Sequence, residues 1–99
     1  MTHRVTMWSA NGLTVEASLG EDGEVTISGH DLSGQLFDEY EYAITVPATA
    51  VPRVVRALGG SRADEVLVLL QRHGELIVRA GETSWLRGLG VEAGFWSWP

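Results

Sequence analysis

Between Val5 and Val46 the chain carries separate runs that alternate apolar and polar residues with a period of two, the mark of strands buried on one face only. The cleanest run spans residues 13–19. Leu13, Val15, Ala17 and Leu19 fall on one side, and Thr14, Glu16 and Ser18 on the other. Val5 to Trp8 precedes it, and Val25 and Ile27 continue it against Glu24, Thr26 and Ser28. Asn11-Gly12 and Asp22-Gly23 separate the three runs, and both dipeptides accept the positive φ that tight hairpins demand. Gly29 to Asp38, rich in Gly, Ser and Asp, predicts a loop. A fourth strand follows, with Tyr40, Tyr42, Ile44 and Val46 on one face and Glu39, Glu41 and Thr45 on the other.

The period changes at Pro47. Val51, Val54, Val55 and Leu58 recur at i, i+3, i+4 and i+7, which predicts a helix with Pro52 in its first turn and Gly59-Gly60 at its end. Ser61 to Asp64 has the form of a capping box with Asp in the acidic position. It opens a second helix with Ala63, Val66, Leu67 and Leu70 facing inward as far as Gly74. Glu75 to Arg79 suits a strand and a continued helix equally well. Thr83 is placed to cap a short helix bearing Trp85, Leu86 and Leu89, and Val91 to Pro99 reads as a last strand or an extended arm. The expected architecture is a single α+β domain over residues 1–99. It has an antiparallel sheet of four to five strands, begun by an N-terminal β-meander, with two to three helices packed on one face. The other face would carry Glu16, Glu24, Glu39 and Glu41.

Charge sharpens this picture. Residues 1–52 hold one arginine against eight acids, −7, and residues 53–99 hold six arginines against five acids, +1, giving the net −6 of the chain. A field of one sign repels nucleic acid and anionic lipid and attracts basic surfaces. With 99 residues and 44% hydrophobic content, the chain can build a core without staples. The absence of cysteine excludes a disulfide framework, a thiolate nucleophile and a cysteine-ligated metal. Met1 to Val5 does not lead into an apolar run of roughly ten residues, so no signal peptide is expected. No stretch reaches the ~18 apolar residues of a membrane span, and the cytoplasm is the expected location.

No catalytic constellation emerges. His3, His30 and His73 lack any metal-ligand spacing, so neither a metal nor another cofactor is expected. His30-Asp31 is the one place where a small enzyme or ligand-binding protein could keep a base. The densest feature is Asp38-Glu39-Tyr40-Glu41-Tyr42. Tyrosines beside carboxylates suit an arginine-rich partner, whereas alternation turns Asp38 and Glu39 apart and so argues against a paired-carboxylate site. Glu16, Glu24, Asp38, Glu39, Tyr40, Glu41 and Tyr42 are therefore the candidate partner-binding residues. Phe95, Trp96 and Trp98 form a second candidate, an aromatic tail that either packs back on the sheet or mediates self-association.

In size, acidity, the Glu39-Tyr40-Glu41-Tyr42 strand and the Phe95-Trp96-Ser97-Trp98 end, the chain resembles the small bacterial immunity proteins of polymorphic toxin systems. The resemblance implies a non-enzymatic inhibitor that covers the basic active surface of a toxin. The alternatives are a structural or regulatory domain that homodimerises through its aromatic tail, and a small ligand-binding protein or enzyme.

Overall fold

The alternating segments form one antiparallel sheet in the order β1-β2-β3-β4-β5, a simple meander. The computed structural model describes residues 3–32 and 39–98. The strands are β1 (His3–Ala10), β2 (Leu13–Leu19), β3 (Val25–Asp31), β4 (Tyr40–Val46) and β5 (Gly94–Trp98). Asn11 and Gly12 turn β1 into β2 with φ of 56° and 84°, the geometry the dipeptide predicts. The second connection is longer: residues 20–24 close through Gly20 N–H to Glu24 C=O at 2.8 Å.

Between β4 and β5 lie four short helices, α1 (Val51–Ala57), α2 (Val66–Arg72), α3 (Gly74–Ala80) and α4 (Glu82–Gly88). They cover one face of the sheet. Val51, Val54, Val55, Val66, Leu70, Ile77 and Leu86 meet Val15, Ala17, Val25, Ile27, Ile44 and Val46 in a single core. Val5 and Leu13 complete it from the half-buried margin. No helix among the described residues is long and apolar enough to cross a membrane.

Several expectations are corrected. The ambiguous segment after Gly74 is helix α3, which buries Ile77 and joins Glu75 to Arg79 at 3.0 Å one turn apart. Gly74 lets α3 lie against the backbone of β1, because a Cβ there would overlap the Met7 carbonyl oxygen. The capping box is one residue late: Glu65 accepts the Arg62 N–H at 2.9 Å, ahead of α2. Ala63 is exposed, and Leu69 takes a buried place instead. Gly81, not Thr83, stands at the start of α4. Gly29, His30 and Asp31 belong to β3 and not to a loop. Gly29 is a strand residue because the Tyr42 ring lies where its Cβ would be.

Candidate functional site

Strand register decides which side chains share the face opposite the helices. Thr6, Glu16, Ser28, Ala43 and Trp96 make one cross-strand row. The next row holds Ser9, Thr14, His30, Glu41 and Trp98. The result is an outer face whose small polar residues lie between Glu16 on one side and Glu41, Trp96 and Trp98 on the other. A trough of ≈ 260 Å³ runs across it, lined by Thr14, Glu16, Ser28, His30, Glu41 and Trp96. Glu16 and Glu41 are two strands and two residues apart, roughly 12 Å by ordinary sheet spacing, room for two separate basic side chains.

Trp96 and Trp98 remain 55% and 54% exposed, so the tail folds back as an edge strand without burying them. Trp98 stands directly across from Glu41. An indole beside a carboxylate can take a guanidinium by stacking and ion pairing together. The arginines of the helical half do not fill this role where their pairs are seen: Arg62 bonds Asp64 and Arg79 bonds Glu75, both at 3.0 Å. Arg79 also lies 5.8 Å over the Trp8 ring.

The seven predicted partner-binding residues are divided by the sheet. Glu16 and Glu41 lie on the outer face, and Glu39 is exposed just ahead of β4. Glu24 sits in the β2–β3 turn with its side chain folded over Gly20. Asp38 lies outside the described residues. Tyr40 and Tyr42 face the helices, their rings 6.0 Å apart, so they do not join the glutamates on one surface. The Tyr42 hydroxyl donates to the Glu82 carboxylate of α4. Burial, the Glu82 bond and its negative charge, and the nearby Tyr40 and Asp31 all hold that hydroxyl neutral far above the usual tyrosine range.

Phe95 also faces the helix side, stacked 6.5 Å from Tyr42, but no helix reaches over it and it is 58% exposed. A cleft of ≈ 350 Å³ opens there between β5 and α4, walled by Ile44, Leu86, Arg87, Val91 and Phe95.

Sequence spacing missed one cluster. His30 Nε2 lies 2.8 Å from Glu39 Oε1 and 3.4 Å from Glu41 Oε1. The ligand atoms of the three residues lie within 4.8 Å of one another, close enough to share a divalent cation. All three are well exposed, and the imidazole already bonds Glu39; a hydrogen-bonded cluster tying β3 to the start of β4 accounts for the geometry. The His30–Glu41 pairing of β3 with β4 creates it, which only the register reveals.

The chain matches no protein-family model, no curated protein and no solved structure.

Proposed function

We propose that this protein is a non-enzymatic binding module whose outer sheet face receives a basic protein partner. The observation that carries the reading is the Glu41–Trp98 pair, with Trp96 and Glu16 beside it, on a face that no helix covers. Carboxylates at the rim steer a cationic surface inward, and exposed indoles give it a place to stack. An immunity protein that blocks a toxin by covering its basic surface is the sharpest form of this reading, in keeping with the size and acidity of the chain. A gene for a secreted toxin with a basic active domain, next to this one, would support that form.

A defined probe tests the face itself. An arginine-rich peptide, followed by tryptophan fluorescence at low salt, should bind the wild type and release as salt rises. Glu16→Gln with Glu41→Gln should weaken binding about tenfold, the ~1.4 kcal/mol scale of one good charge-assisted contact. Glu21→Gln with Asp22→Asn, the same charge change in the β2–β3 turn, should weaken it far less. Equal losses in both variants would mean that net charge, not this face, holds the peptide.

A further inference from the structure

The two edges of the sheet are built differently. On β1, the pairing with β2 slips between Thr6 and Trp8 to form a bulge, and Arg4 adds a charge. Bulges and charges are the devices by which proteins keep an edge from pairing with another chain. The β5 edge has neither. Its register with β4 runs unbroken from Glu41–Trp98 to Thr45–Gly94, residues 94–98 carry no charge, and all five are exposed. Phe95, Trp96 and Trp98 thus stand in water on a straight strand whose outer backbone groups face away from β4.

The geometry points to a second copy of this chain as the occupant: we propose that two molecules pair antiparallel through β5, about a two-fold axis at Trp96, joining their sheets into one of ten strands. The order Gly-Phe-Trp-Ser-Trp is self-complementary in that register. Trp98 stands across from the partner's Gly94, and Phe95 across from the partner's Ser97. Trp96 meets the partner's Trp96 on the axis. Each off-axis aromatic therefore finds a small residue opposite, and an aromatic ring set across from a glycine covers its bare backbone and pins the register. No acid meets an acid across the seam either. The row of Glu41 and Trp98 continues into the partner's Gly94 and the partner's Thr45, so the net charge of −6 does not oppose the contact locally.

A pairing of β1 on β5 would propagate without closing, and the β1 bulge disfavours it. The two-fold closes at a dimer. Six aromatic side chains, each already part covered, place the contact below the ~1,200 Å² of stable interfaces, in the range of weak, reversible ones. The association should accordingly depend on concentration. The pairing would also set both outer faces in one plane, with four tryptophans along its centre. It goes beyond the binding role proposed above and does not depend on it.

Sedimentation velocity across a wide concentration range reads the mass directly. The wild type should move from the mass of one chain to that of two. Trp96→Lys places like charges across the axis and should leave a monomer at every concentration; Ser97→Lys serves the same end if the first variant does not fold. Gly94→Val is the register test. Inside one molecule its Cβ meets only Thr45 Cβ, at 4.0 Å, so the fold should stand, while the partner's Trp98 loses its place and dimerisation weakens at least tenfold. Trp96→Cys, the only cysteine in such a chain, should cross-link on mild oxidation, since residues directly opposite lie about 4.5–5.5 Å apart between Cα atoms, within the separation a disulfide spans. Glu16→Gln with Glu41→Gln should dimerise as the wild type does, which separates this outcome from that of the acidic face. A wild type monomeric throughout, or a dimer untouched by Trp96→Lys and Ser97→Lys, overturns the pairing. A dimer that tolerates Gly94→Val and fails to cross-link through Trp96→Cys overturns the register.

Discussion

Tyr42 shows how one side chain can serve two neighbours. Its ring fills the space over Gly29, and its hydroxyl crosses from the sheet to Glu82 on α4. The neutral phenol is the form this setting holds, with burial the main cause. Below about pH 10 the tyrosine is neutral in the folded and the unfolded chain alike. Above it the unfolded chain gives up a proton that the folded chain retains, so stability falls as pH rises. Urea midpoints measured between about pH 9 and pH 11 should decline in the wild type and decline less in Tyr42→Phe. Tyr40 is present in both proteins, so the difference in slope belongs to Tyr42. An identical slope in the variant would remove Tyr42 from the account.

At the scale of elements, the helices are short and held by packing more than by propensity; seven residues make a marginal helix in isolation. The contact of α3 with β1 brings backbone close to backbone at Gly74. Alanine in a helix is ordinarily favoured over glycine by ~1 kcal/mol. At Gly74 the sign should reverse, because the new Cβ has only rigid backbone, the Met7 carbonyl, to displace. Overpacking of this sort costs roughly 1–3 kcal/mol, so Gly74→Ala should lower the urea midpoint. A variant as stable as the wild type would show that α3 can lift from β1 without loss.

The strands were more legible than the helices at this scale. Alternation in 13–19 and 40–46 names the buried face of each strand, since a slip of one residue would turn the whole set to water. Helical phase was clear for Val51, Val54 and Val55 but not for residues 75–79, which satisfy both periods. Gly29 misled for a related reason. A glycine reads as a loop from composition, and its place in β3 depends on a ring thirteen residues away.

For the whole molecule, charge is segregated: a −7 half forms four of the strands, and a +1 half forms the helices and β5. The arginine ion pairs seen in the helical half stay within it, so they do not offset the sheet half at close range. Added sodium chloride should therefore stabilise the fold modestly, by screening repulsion beyond the Debye length of ~10 Å at 0.1 M. Thermal midpoints should rise between low and moderate salt. A fall would indicate that attraction between the halves outweighs repulsion within the first.

The amino-acid sequence by itself determined the fold class, the hairpin at Asn11-Gly12, the strand faces and the acidity of the first half. These are local properties, written in period and composition. Tertiary structure decided what lies beside what. It set Glu41 against Trp98, drew His30 to Glu39 and Glu41, and joined the Tyr42 hydroxyl to Glu82 of α4. It also left β5 open at the edge of the sheet. Those neighbours follow from strand order and register, which join residues far apart in the chain and which no local pattern of side chains encodes.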